Sequence, residues 1–151
     1  MSQMLKISEA ASIGIHAMIF IAEAEGRPVN TKAIAAGFDV SENHTAKVLQ
    51  RLTHAGYISA IRGPKGGFIL NRKTSEITIL EIYEAIDGPL SETKCFFMKK
   101  KCSPCCGLFG EMMQEANEVV RKHFGPATLQ TILDKKRYIN KSSEHSTMGK
   151  N

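Results

Sequence analysis

The sequence predicts a mainly α chain with a small β-hairpin wing: a winged helix-turn-helix plus a long dimerisation helix. Three observations predict it. Two short helical stretches flank a turn at Gly37, the layout of a helix-turn-helix. Arg62-Gly63-Pro64-Lys65-Gly66-Gly67-Phe68 follows closely, a tight turn between β-branched and aromatic flanks. Further on, Leu108, Phe109, Met112, Met113, Ala116, Val119, Val120 and Phe124 recur at helical spacing in one wide apolar stripe.

The elements follow in order. The first helix is expected from about Glu9 to Glu25, capped by Ser8 and ended by Gly26-Arg27-Pro28. Glu9, Ser12, His16 and Glu23 share its one polar face, so the helix is buried on most sides. A short helix from Thr31 to Ala36 comes next, with Gly37 as the turn. Ser41 caps a third helix running to about Ala55; Ala46, Val48, Leu49 and Leu52 form its inward side, and Gly56 stops it. Tyr57 to Arg62 and Phe68 to Leu70 are the strands of the hairpin. Thr78-Ile79-Leu80-Glu81 has capping-box spacing and opens a helix to about Ile86, closed by Asp87-Gly88-Pro89. Gly125-Pro126 ends the long helix, and a short helix spans Thr128 to Lys135. The polar tail from about Asn140 is expected to be disordered. Four regions result: a winged helix-turn-helix DNA-binding domain (1–88), a cysteine-rich cofactor loop (89–107), a dimerisation helix with a C-terminal short helix (108–139), and a tail (140–151).

Composition narrows the function. No apolar run approaches the ~20 residues that span a bilayer, and no secretory start is present, so the expected compartment is the cytoplasm. Of the net charge of +5, most lies early: residues 1–73 carry nine Lys/Arg against five Asp/Glu, residues 74–151 eleven against ten. A basic first half suits a nucleic-acid partner. No paired carboxylates, nucleophile elbow or phosphate loop point to an enzyme.

The expected DNA contacts are Asn43, His44, Lys47, Gln50 and Arg51 on the recognition helix, with Arg62 and Lys65 on the wing. All can donate hydrogen bonds to base edges or phosphates. A positive wing tip suits a narrow, negative minor groove. The apolar long helix reads as a dimer seam, and a symmetric dimer presents two reading heads about one DNA turn apart.

All four cysteines fall between Cys95 and Cys106: Cys95-x6-Cys102-x2-Cys105-Cys106. Such clustering inside a cell argues for metal or redox chemistry rather than disulfides. Lys94, Lys99, Lys100 and Lys101 offset the charge of thiolates. Zinc favours two short cysteine pairs, and only Cys102-Ser103-Pro104-Cys105 has that form. Iron–sulphur clusters are also thiolate-bound and accept a non-cysteine ligand. Spacing leaves both open. A disulfide oxidoreductase would need a βαβ context, which is missing.

The chain resembles the Rrf-two family of winged-helix transcription regulators. The resemblance rests on Ile15-His16-Ala17-Met18, Val40-Ser41, Arg51-Leu52, Ala55-Gly56-Tyr57-Ile58 and above all Arg62 to Phe68. It continues through Ile77 to Ile82, Ala85-Ile86-Asp87-Gly88, the cysteine loop and Thr128-Leu129, covering roughly residues 4–135. It implies a homodimer that reads an imperfect palindromic operator in double-stranded DNA, with no membrane role. It also implies an iron–sulphur cluster, 2Fe-2S or 4Fe-4S, that senses iron–sulphur, nitric oxide or redox status and acts through a regulator such as a repressor. Carried over by position, the ligands are Cys95, Cys102 and Cys106, because Cys106 directly precedes the long helix; Cys105 is an extra. Where some members place a histidine three residues after the last cysteine, Phe109 stands here. The fourth ligand is then Cys105 or His16 of the partner subunit, with Ser12 on the same face. The alternatives are a winged-helix regulator using zinc or reversible thiol oxidation, and beyond it a thiol-active enzyme or protein-interaction module.

Overall fold

Four polar side chains open four helices. Ser8 accepts from the Ala11 amide, Asn30 from Ala33, Ser41 from His44 and Thr78 from Glu81. The helices they start are α1 (Glu9–Glu23), α2 (Thr31–Phe38), α3 (Glu42–His54) and α4 (Ile79–Asp87). Strands β1 (Ile58–Ile61) and β2 (Gly67–Leu70) lie between α3 and α4, followed by a 3-10 turn at Thr74–Glu76. Two longer helices, α5 (Cys106–Phe124) and α6 (Leu129–Thr147), complete the order. The computed structural model describes residues 7–90 and 106–147, with side chains for 7–90 and 110–139.

Helix α1 is the central post, buried through Ala11, Ile13, Ala17, Met18 and Ile21. It packs on α3 and α4, and Val48, Leu49, Leu52, Ile58, Ile77 and Ile82 close the core around it. Gly14 marks the closest crossing: an added Cβ would lie 2.0 Å from Ile86 Cδ1 and 3.3 Å from Val48 Cγ1. The α4 and α3 side chains therefore rest directly on the α1 backbone.

The wing is an antiparallel pair, with Ile58 opposite Leu70 and Ile61 opposite Gly67. Val29, in the connection from α1 to α2, adds an isolated bridge to β2. Its amide donates to the Phe68 carbonyl at 3.1 Å, and the Phe68 amide returns the bond at 2.8 Å. Gly67 lies at φ 157°, and a Cβ there would stand 2.5–2.7 Å from the Val29 backbone. The last glycine of the turn motif is thus demanded by a backbone 38 positions away, not by the turn alone.

Several expectations change. Gly37 is not the turn: α2 continues through it to Phe38, and Asp39 makes the left-handed cap at φ 53°. Gly37 instead gives room to the Phe20 ring, 3.3 Å from where its Cβ would be. Ala46 is exposed, and Thr45 takes the inward position, its hydroxyl satisfied by the Ser41 carbonyl at 3.0 Å. The C-terminal helix is not short and does not stop near Lys135. It runs to Thr147, into the stretch expected to be disordered, because no Gly or Pro interrupts it before Gly149. Its start is anchored in the winged core by Leu129 and Leu133. The Leu129 amide donates to the Ile77 carbonyl at 2.9 Å, and the Ile79 amide to Ala127 at 2.8 Å.

The expected capping box is present in full. Glu81 accepts from the Thr78 amide at 2.8 Å and from its hydroxyl at 3.0 Å, and Arg72 stands 3.4 Å away. Partial burial pushes the Glu81 carboxyl up, but the Thr78 bonds and then the Arg72 charge outweigh it, so the group sits below its ordinary value of 4.5. Its stabilisation is therefore complete above that ordinary value and drains away as pH falls through the lowered folded value. We expect urea unfolding to show Glu81→Gln losing stability relative to the parent at neutral pH, with the gap closing on acidification. A gap that stays constant with pH would refute this assignment.

Candidate nucleic-acid interface and cofactor loop

The amphipathic pattern of α3 turns one face inward and leaves the other to solvent. Asn43, Lys47 and Gln50 are exposed on that outer face at spacings of four and three. Arg62 and Lys65 are exposed on the turn between β1 and β2. The wing therefore carries two exposed cations of its own. His54 extends the stripe: with Lys47, Gln50, Arg51 and Ala85 it lines an open cleft of about 490 Å³. Sequence reasoning missed His54, although its distance of seven residues from Lys47 puts it on the same face.

Two of the expected contacts sit differently from the rest. His44 is half-buried, and its Nδ1 lies 4.0 Å from Glu9 Oε2 at the start of α1. Arg51 donates through Nη1 to the Ile86 carbonyl at 3.1 Å, at the C-terminal end of α4. The residue is exposed and lines the cleft with Lys47 and His54, but this bond ties its guanidinium to another helix.

His16 is exposed beside Ser12 in a cleft of about 230 Å³ with Glu9, Ile13, Phe38 and Val40. Its Nδ1 is 2.7 Å from the Ser12 carbonyl, which can only accept, so Nδ1 carries a proton and, in the neutral ring, Nε2 has the lone pair. A histidine bonded this way is oriented as a metal-ligating histidine usually is. The ring meets Phe38 edge-on at 5.2 Å.

Cys95, Cys102 and Cys105 lie outside the described residues, and Cys106 is the first residue of α5, with its side chain outside them. Among the described residues no group of three or more His, Cys, Asp or Glu converges on a metal position. The donor set suits a thiolate-bound centre all the same. Four thiols lie within twelve residues, and the last opens a helix whose unpaired amides favour negative charge.

Helix α5 exposes Met112 and Val119, each 55% accessible. Beside it is an apolar hollow of about 450 Å³ lined by Ile7, Tyr83, Leu90, Met113, Val120 and Phe124 among others. No helix among the described residues is long and apolar enough to cross a membrane.

Residues 7–135 match the family described as Rrf2, iron-dependent transcriptional regulator. The HTH-type transcriptional regulator NsrR of Bacillus subtilis (strain 168) is 33% identical over 108 residues, 69% of this chain and 74% of that protein. Among solved structures, IscR of T. potens superposes with a TM-score of 0.70 at 25% identity, covering 88% of this chain and 89% of that one. CymR, the global cysteine regulator of B. subtilis, gives 0.66 at 27% identity, covering 87% and 98%.

Proposed function

We propose that this chain, which belongs to the Rrf2 family of transcription regulators, acts in the cytoplasm as a homodimer that reads an imperfect palindrome and senses through a cysteine-bound iron–sulphur cluster. It is a regulator, not an enzyme. The observation that carries the DNA reading is exposure: Asn43, Lys47 and Gln50 stand open to solvent on the outer face of α3, and so do Arg62 and Lys65 at the wing tip. In this reading α3 enters the major groove, Asn43 and Gln50 meet base edges, and Lys47 neutralises a phosphate. The wing glycines bring Arg62 and Lys65 close to the adjacent minor groove.

The ligands proposed for the cluster are Cys95, Cys102 and Cys106, with Cys105 or His16 of the partner subunit completing the set. The iron dependence in the family's description supports iron over zinc. When bound, the cluster supplies a change of charge and occupancy with oxidation, nitric oxide or iron supply. The chain's part is to convert that change into geometry. The cysteine segment joins the end of α4 to the start of α5, so it lies between reading head and dimer helix. Two arrangements of the dimer with different DNA affinity are then enough for regulation.

Binding to an operator duplex selected from a random pool by the parent protein tests the DNA reading. Lys47→Ala should weaken binding to every duplex and lower the salt slope by about one. Arg62→Ala should cost roughly 1–3 kcal/mol on the selected sequence. Two variants with the parent's affinity and specificity would contradict it. The dimer has its own test: Met112→Glu or Val119→Glu should sediment as a monomer or fail to stay in solution, because each puts a charge in the proposed seam. A parent protein that is monomeric at micromolar concentration would overturn the seam.

A further inference from the structure

Residues 86–90 form a corner at which three distant parts of the chain are tied together. The Ile86 carbonyl, one of the last in α4 and without a donor in its own helix, accepts from Arg51 of α3. The Asp87 carboxylate accepts from the Ser8 hydroxyl at 2.7 Å, at the N-cap of α1. Gly88 turns the chain at φ 87°. The Leu90 carbonyl accepts from Arg121 of α5 at 2.9 Å, and the Leu90 amide donates to Glu84 at 3.3 Å. This corner is the last described segment before the cysteines.

We propose that Arg51 is a positioning residue that couples this corner to the recognition helix, rather than a DNA contact. Two independent features carry the assignment. First, Arg51 stands three residues from buried Val48, on the shoulder of α3, and its charge complements the negative end of α4. Second, the Ile86 side chain is wedged where α1, α3 and α4 meet, against Gly14 and near Val48. A shift of the corner thus moves α3 in two ways, by a hydrogen bond at its shoulder and by contact at its buried face. Close-packed interiors transmit such displacements instead of absorbing them. The same corner holds Arg121, so a change at the dimer helix reaches it as well.

The inference rests on the proposed function, and its test separates the two. The full-length dimer is prepared anaerobically with iron and sulphide, and again with iron removed by a chelator. Affinity for the selected duplex is measured for both forms over a range of salt. For the parent, the ratio of the two affinities should be at least about fivefold. For Arg51→Gln it should fall to near one, while the salt slope stays at the parent's value. Arg51→Lys, which keeps a cationic donor, should recover part of the ratio. Circular dichroism confirms that each variant is folded, and hydrogen exchange of α3 should rise in Arg51→Gln without DNA present. If the parent responds and Arg51→Gln responds equally, the coupling role is wrong. If Arg51→Gln lowers both affinities alike and reduces the salt slope by about one, Arg51 is a phosphate contact and the proposal falls. A parent that binds DNA equally with and without iron overturns the cluster reading and this coupling together.

Discussion

Gly67→Ala should unfold with a Tm roughly 6–12 °C below the parent, a loss of about 3 kcal/mol. Two costs add. The backbone at φ 157° is glycine territory, and the new methyl would meet the Val29 backbone at 2.5–2.7 Å. Backbone cannot step aside as a side chain tip can, so the bridge between Val29 and Phe68 must open. Gly63→Ala is the matched control. It also carries a positive φ, 116°, but nothing stands within 4 Å of its Cβ. It should lose only about 1 kcal/mol. Because the bridge docks the wing on the helical body, Gly67→Ala should also bind the selected duplex at least about tenfold more weakly. Thermal unfolding and DNA titration of the two variants check this. Equal losses in both would show that the Val29 contact is not what the glycine serves.

Serine at Cys95, Cys102 or Cys106 should abolish the visible absorption of a reconstituted cluster, each change alone being sufficient. A hydroxyl is a far poorer iron ligand than a thiolate, so losing one of the three proposed thiolates should release the cluster. Cys105→Ser divides the two proposals for the fourth ligand. If His16 of the partner subunit completes the set, Cys105→Ser keeps the absorption and His16→Ala loses it. If Cys105 completes it, the outcomes reverse. The bond from His16 Nδ1 to the Ser12 carbonyl, which leaves Nε2 open, is what favours the histidine. Absorption that survives in any one of Cys95→Ser, Cys102→Ser and Cys106→Ser would contradict the assignment of ligands.

Local signals in the chain carried much of this fold. Ser8, Ser41 and the Thr78/Glu81 box each bond to amides within three residues, so the residues that start these helices are visible in sequence. The wing was visible because Gly63 to Gly67 permits little else between two β-branched flanks. The features that escaped depend on distant partners. Gly37 looks like a turn until the Phe20 ring is placed beside it. Val29 looks like a linker residue, and only its pairing with Phe68 makes it part of the wing. Thr45 and Ala46 are adjacent, and the helical register that buries one was ambiguous by a single position. Leu129 gave no local sign that it would fill the core beside Ile77.

The candidate site divides the same way. Asn43, Lys47, Gln50, Arg62 and Lys65 follow from helical spacing and a hairpin tip, which sequence supplies. The bond that Arg51 makes does not, because its partner is a carbonyl 35 residues away. The cysteines were grouped by sequence alone, and their geometry lies outside the described residues.

The central claim, a DNA-binding regulator with a resident iron–sulphur cluster, is tested most directly by metal and sulphide analysis of the wild-type protein purified without oxygen. The account predicts iron and acid-labile sulphide in equal amounts, at two or four of each per subunit, and a brown or reddish protein. A colourless protein holding one zinc per subunit, which takes up no cluster from added iron and sulphide, would contradict it.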